Sequence, residues 1–324
     1  MLTVLFATRN RAALLREVLA SYRQLQPPDS GWKLVVVDNG SSDITDDVLS
    51  SFSSFLPLHG LKEPRPGKNA ALNAGLEFVE GDLVVLTDDD TFPQSNWLIE
   101  LRQAADQQSE YSIFGGAVIP RWEAPPPVWV QWVPAGPVFT LTEPSLTEGP
   151  MDHRDVFGPN MAIRTSVFRA GVRFDTTIGP SGSSYAMGSE TELVLRLGNQ
   201  GHKAWYVSGA VVEHFIRKEQ LEEDWVLKRG LRYGRGKYRL FDRHWNTDAF
   251  SWRAVPLHFY RRAAKQAALV ALSKIFRREE SLFQARWRLN VFRGEIEEAG
   301  NLSREKVRND STIASEGRAE KTAS

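Results

Sequence analysis

The run Leu83-Val84-Val85-Leu86-Thr87-Asp88-Asp89-Asp90 constrains this chain most, because an aliphatic segment ends there without transition in three carboxylates. Consecutive Leu and Val residues suit a central parallel strand covered on both faces, which has no solvent side to alternate with. Ligands of open α/β sheets bind at the carboxyl ends of such strands, where these acids stand. Three anions this close repel one another unless a hard cation or solvent neutralises them. Oxygen-rich clusters of this kind suit Mg2+ or Mn2+ carrying a substrate phosphate. A solvated acidic turn is the plain alternative, and the flanking motifs weigh against it.

The first third of the chain alternates strand-like and helix-like patterns. Leu2 to Ala7 reads as a strand, and Arg11 to Leu25, with Leu14, Leu15, Val18, Leu19 and Tyr22 on one stripe, as an amphipathic helix capped by Asn10. Lys33 to Val37 is the next strand, followed by turn chemistry and a helix from Ile44 to Phe55. A helix over Lys68 to Phe78, the strand Leu83 to Leu86 and a helix over Trp97 to Ala105 complete the pattern. Alternation of this kind predicts an α/β fold, a mostly parallel sheet flanked by helices. From Ile119 to Pro150 the chain is rich in Pro and Trp and too irregular for a helix, which suits a flap or an acceptor-binding insertion. Regular structure returns with Asn160 to Ile163, a short helix from Thr165, a helix over Glu190 to Gly198, and strands Ala204 to Val207 and Ala210 to Val212. The tail from Asn301 has the composition of a disordered segment.

Composition excludes several function classes. Lys plus Arg and Asp plus Glu are both 40, so no global field points to nucleic acid. Cys is absent, which removes disulfides, thiolate zinc sites and a cysteine nucleophile. The N-terminus lacks a basic leader and runs into Arg9 and Arg11, so it is expected to be a strand rather than a signal peptide, and no stretch is apolar for long enough to span a membrane.

Six motifs in order carry the chemistry: Ala7-Thr8-Arg9-Asn10-Arg11, Val37-Asp38-Asn39-Gly40-Ser41-Ser42-Asp43, Gly67-Lys68-Asn69-Ala70-Ala71-Leu72-Asn73-Ala74-Gly75, Thr87-Asp88-Asp89-Asp90, Phe157-Gly158-Pro159-Asn160, and Gly188-Ser189-Glu190-Thr191-Glu192 with Val212-Glu213-His214-Phe215 beyond it. Together they resemble a family 2 glycosyltransferase of the GT-A fold, an inverting transferase of polysaccharide and glycolipid synthesis, over residues 1 to 235.

The resemblance implies a nucleoside diphosphate sugar donor held by Thr8, Arg9, Asn10, Asp38, Lys68, Asn73, Asp88 and Asp89, with Mg2+ or Mn2+ on Asp90 and His214. It implies a glycan or lipid-linked acceptor near Gly158, Asn160 and Glu192. Ser189 stands where the family typically has Glu, and Glu190 where it has Asp, so Glu190 is the expected general base and Glu192 its rival. For either acid, simple helix-start electrostatics is the structural alternative. The loop Gly179-Pro180-Ser181-Gly182-Ser183-Ser184 is a candidate lid.

The expected domains are residues 1–118 for the donor, 119–235 for the acceptor and catalysis, a helical extension over 236–300 and the tail 301–324. The expected location is the cytoplasm. Residues 260–278, an apolar helix between Arg pairs, suit the inner face of an anionic membrane, or equally a packing or dimer helix. Trp225 to Gly236 resembles a segment near the diphosphate, or is a basic surface helix. Two rivals share the fold: a sugar nucleotidyltransferase, which should carry a Gly-rich loop where Ala7-Thr8-Arg9-Asn10-Arg11 has none, and a silent nucleotide-sugar or glycan-binding protein.

Overall fold

The computed structural model describes residues 1–179, 185–242, 251–252 and 255–322. Contacts divide the chain into two compact units, Met1–Ser183 with Gly188–Leu221, and Ser184–Met187 with Glu222–Ser324. Of the candidate lid, residues 180–184 lie outside the described part.

The first unit opens with the expected alternation: β1 (Leu2–Thr8), α1 (Ala12–Tyr22), β2 (Trp32–Asp38), α2 (Thr45–Phe52), β3 (Leu58–Lys62), α3 (Lys68–Leu76) and β4 (Leu83–Leu86). Then come β5 (Thr91–Pro93), α4 (Trp97–Gln107), β6 (Ile113–Trp122), α5 (Ala135–Phe139), β7 (Gly149–Met151), β8 (Met161–Arg164), α6 (Thr165–Arg169), α7 (Ser189–Asn199) and β9 (Ala204–Ile216). Among the described residues these strands form one sheet in the order β3-β2-β1-β4-β8-β6-β9-β5, with β7 also on β9. The β3-β2-β1-β4 half is parallel. Beyond β4 the sheet is mixed, because β8 runs antiparallel to both β4 and β6 while β6 and β9 are parallel. Strand β4 is buried along its whole length, as its unbroken aliphatic sequence requires. The edge strand β3 is half-exposed and carries His59 and Gly60, so its sequence gives no strand signal.

Helix α3 lies close on β1 and β2 because it is built of small residues. A Cβ on Gly75 would meet Leu5 Cδ1 at 2.4 Å and Val37 Cγ2 at 2.9 Å. The cap of α1 differs from expectation: Ala12 N donates to Asp43 Oδ2 at 3.0 Å, and Asn10 instead accepts from Ser42 N at 2.7 Å. Asp43 also accepts from Thr45 N, so one carboxylate serves two helix starts. The two short strands expected at 204–207 and 210–212 are one strand, and its register against β6 shifts between Gly116 and Ala117. That bulge leaves backbone carbonyls in need of donors.

Asn160 supplies them. Its amide donates to Ala117 O and Ala210 O, both at 2.8 Å, and its carbonyl accepts from Trp97 Nε1 at 2.8 Å. The side chain is fully buried, and its three bonds tie the bulge to α4. Asn160→Leu leaves three buried polar groups unpaired and is expected to cost about 2–4 kcal/mol. Urea unfolding measures this; a loss below about 1 kcal/mol would mean that the bulge finds other partners.

The second unit is helical: α8 (Glu223–Lys237), the short pair β10 (Ser251–Trp252) and β11 (Val255–Pro256), α9 (Leu257–Ile275) and α10 (Glu279–Thr322). Its long segment starts at Glu222, and the glycines of α8 fit that helix to α10. A Cβ on Gly234 would meet Val291 O at 2.0 Å, and one on Gly294 would meet Leu231 O at 2.1 Å. Two basic residues at the end of the Trp225–Gly236 stretch and just beyond it are engaged by acids of α10, Arg235 with Glu297 and Lys237 with Glu295, each at 2.6 Å. Helix α10 continues to Thr322, through the stretch from 301 whose composition suggests disorder.

Candidate active site

Parallel β1, β2 and β4 end at one edge, and the chain's acids gather just past them. β1 contributes Thr8 and, one turn on, Arg11; β4 contributes Asp88, Asp89 and Asp90. Thr8 Oγ1 donates to Asp89 Oδ2 at 2.8 Å. Arg11 Nη1 lies 2.6 Å from Asp89 Oδ1 and 2.8 Å from Asp90 Oδ2, bracing both carboxylates from one side.

His214 reaches this cluster through strand register. The antiparallel pairing of β5 with β9 sets His214 opposite Thr91, and Phe215 N donates to Asp90 O at 2.8 Å. His214 Nε2 is 3.5 Å from Asp90 Oδ1. The other ring nitrogen, Nδ1, donates to Phe139 O at 2.7 Å, so the irregular 119–150 segment, through α5, fixes the ring orientation.

Glu190 arrives from the other half of the unit. It sits in the first turn of α7, whose start is formed by Gly188 at φ 105°. A carboxylate is favoured there by the helix dipole. Lys68, the first residue of α3, lies 2.5 Å from Asp88 and 2.6 Å from Glu190, a single ammonium between the β4 acids and α7. Ser189 Oγ donates to Glu190 Oε2 at 2.6 Å. Gly158 makes the room: a Cβ there would meet Glu190 Cγ at 2.6 Å. Thr87 Oγ1 donates to Pro159 O at 2.8 Å and ties that segment to the end of β4.

Four carboxylates, Asp88, Asp89, Asp90 and Glu190, thus face two permanent cations, Arg11 and Lys68. Burial and the neighbouring cations pull their proton affinities in opposite directions. Burial pushes Asp89 up to about 6 in spite of Arg11, and raises Asp88 in spite of Lys68. Burial also opposes ionisation of Asp90 and Glu190, but His214 with Arg11 in the first case, and Lys68 in the second, overcome it and hold both below the usual range. For His214, burial is outweighed by Asp90 and the imidazole is raised.

Other expected site residues lie elsewhere or are already engaged. Asn73 accepts from Phe174 N and donates to Phe174 O, both at 2.9 Å, and so clamps the 174 loop. Glu192 makes a two-pronged pair with Arg196, from 2.7 Å, and does not join the carboxylate cluster. Arg9 is exposed, Asn10 is spent on the 41–42 turn, and Asp38, buried at the end of β2, accepts from Ser41 N at 2.9 Å. Arg11, which braces two of the acids, is not among the expected site residues, and its position one turn after β1 is the available signal.

Among the described residues no three His, Cys, Asp or Glu side chains are arranged to hold a metal by themselves. Asp90 and His214 nevertheless fit a divalent cation that takes its remaining ligands from substrate phosphates, as Mg2+-type sites do. The Nδ1–H bond to a backbone carbonyl leaves Nε2 facing Asp90, the outer-shell arrangement of a metal-ligating histidine.

A parallel half that gathers acids at strand ends, joined to a mixed half that carries the histidine and the helix-start carboxylate, is the architecture of the GT-A fold. The chain belongs to glycosyl transferase family 2, whose model matches residues 3–171, just over half of it. A glucosyl-dolichyl phosphate glucuronosyltransferase of Haloferax volcanii is 26% identical over 212 residues, 63% of this chain and 66% of that one, so the match spans just under two thirds of that relative's length. Mannosyltransferase PcManGT from Pyrobaculum calidifontis, in complex with GDP-Man and Mn2+, superposes with a TM-score of 0.55 at 19% identity, covering 97% of this chain and 80% of that chain. S. aureus TarS 1-349 with UDP-GlcNAc gives 0.53 at 14% identity, covering 93% and 92%. The chain therefore carries a family 2 glycosyltransferase domain, and among its described residues no helix is long and apolar enough to cross a membrane.

Proposed function

We propose that the chain moves a sugar from a nucleoside diphosphate sugar to a hydroxyl of a glycan or lipid-linked acceptor, with inversion and with Glu190 as general base. The observation that carries this is the Lys68 bridge, which brings Glu190 within one ammonium of the acids at the end of β4. Transfer needs a stabilised leaving diphosphate and an acceptor oxygen made nucleophilic on the opposite face of the anomeric carbon. A divalent cation held by Asp90 and His214 would offset the charge that grows on the leaving oxygen. Arg11 orients Asp89 and Asp90, and Thr8 fixes Asp89.

Glu190 is ionised in the free protein because of Lys68, and so is ready to receive a proton. A diphosphate competing for Lys68 would loosen that pair and raise the basicity of Glu190 when the donor is in place. One displacement then inverts the anomeric centre, with no covalent sugar–enzyme step. The names of the relatives, which include a dolichyl phosphate substrate and two nucleotide sugars, support the substrate classes.

A thermal-shift panel of UDP- and GDP-sugars, with and without Mn2+, tests the donor class. A donor at a hundred times its dissociation constant is expected to stabilise the native state by about 2.7 kcal/mol, and only with the metal present. No shift from any nucleotide sugar would remove the proposal. Binding without turnover would leave the silent binding protein.

A further inference from the structure

Helix α9 is turned so that its apolar side faces solvent. Its buried positions are Phe259, Gln266 and Ser273, spaced at two turns, so after the first turn the fully packed positions are polar or small, with Val270 half-buried between them. The opposite side carries Leu269 at 37% exposure, Leu272 at 50%, Ile275 at 72% and Phe276 at 67%. A surface helix that packs for its own stability has the reverse arrangement. Large side chains exposed in a contiguous stripe mark a surface made to be covered.

The charges identify the cover. Arg261, Arg262 and Lys265 precede the stripe, Lys274, Arg277 and Arg278 close it, all six are exposed, and no acid lies between residues 257 and 278. At the turn into α10, Arg277 adopts φ 51°, a left-handed conformation that glycine takes at less cost. Arginine there keeps a second cation beside Arg278 at the tip where Ile275 and Phe276 are most exposed. A second copy is disfavoured as occupant, since an isologous contact would set these cations against their own images. Nucleic acid would match the charge and leave the Leu, Ile and Phe side chains in water.

We propose that the outer face of α9 docks on an anionic lipid surface, its apolar side chains at the headgroup boundary and its terminal arginines on lipid phosphates. The contact deepens the proposed acceptor class, since a lipid-linked acceptor lies in such a surface, but it depends on no residue of the catalytic cluster. Vesicles of phosphatidylglycerol mixed equally with phosphatidylcholine, and of phosphatidylcholine alone, are sedimented with the full chain at low salt.

Binding is expected to the anionic vesicles only and to weaken as salt is raised. The double variant Leu272→Glu/Ile275→Glu, changed only at exposed positions, is expected to lower the bound fraction on the order of tenfold. Its melting temperature and nucleotide-induced shift should match the parent's, which separates this contact from the donor site. A parent chain that stays in the supernatant, or a double variant that sediments like the parent, overturns the proposal. So does sedimentation velocity showing a dimer that the double variant splits while vesicles capture neither form, because the covered face would then belong to a second copy.

Discussion

Glu190→Gln is expected to lower transfer by about two orders of magnitude or more while donor affinity stays within about threefold of the parent. The split follows from position. Lys68 joins Glu190 to the acids at the end of β4, and in the proposed role the proton chemistry of Glu190 concerns the acceptor. Glutamine keeps the shape that Gly158 accommodates and can still accept from Ser189, so folding is preserved and the change isolates the charge. Glu192→Gln breaks a pair with Arg196 on the same helix, worth about 0.3–0.5 kcal/mol at a surface, and is expected to be mild. Initial rates and calorimetric donor affinities for the two variants decide the matter. Loss of transfer in Glu192→Gln with near-normal Glu190→Gln would move the base to the other acid.

Asp90→Ala carries the second large effect. Asp90 faces His214 at 3.5 Å and Arg11 at 2.8 Å, and its carboxylate is held ionised against burial by those two groups. Removing it leaves His214 as a lone candidate ligand, so Mn2+-dependent donor affinity is expected to fall on the order of a hundredfold. His214→Ala should fall less, about tenfold, because a carboxylate contributes charge as well as a bond. Calorimetry of a nucleoside diphosphate with and without Mn2+ reads both. Unchanged affinity with unchanged metal dependence in Asp90→Ala would detach the β4 acids from the donor.

What could be read in advance follows the range of the interactions. The aliphatic run of β4 and the stripe of α1 are local patterns, and both elements appear where periodicity sets them. The cap of α1 does not, because its acceptor is Asp43, a residue 31 positions away in sequence. Asn73 and Asn160 stand in motifs, but a motif does not say whether an amide faces a ligand or a backbone carbonyl short of a donor. Asn160 faces two such carbonyls, left by a bulge whose local mark is the glycines Gly116 and Gly209 but whose partner is not marked. The Lys68–Glu190 pair joins α3 to α7, and only the assembled sheet brings those helix starts together. The outward stripe of α9 was legible as apolar residues between arginines, whereas which side faced α10 required the packed hairpin.

The anomeric configuration of the released sugar tests single-displacement chemistry most directly, and it needs no knowledge of the acceptor, since water can take the acceptor's place. An NDP-α-sugar that gives a shift in the thermal panel is incubated with the chain and Mn2+, and proton NMR follows the anomeric signals before mutarotation mixes them. The β anomer is expected to appear first, and to appear more slowly by about two orders of magnitude with Glu190→Gln. The α anomer appearing first would contradict inversion, and with it the role of Glu190 as a base acting across the sugar from the leaving diphosphate.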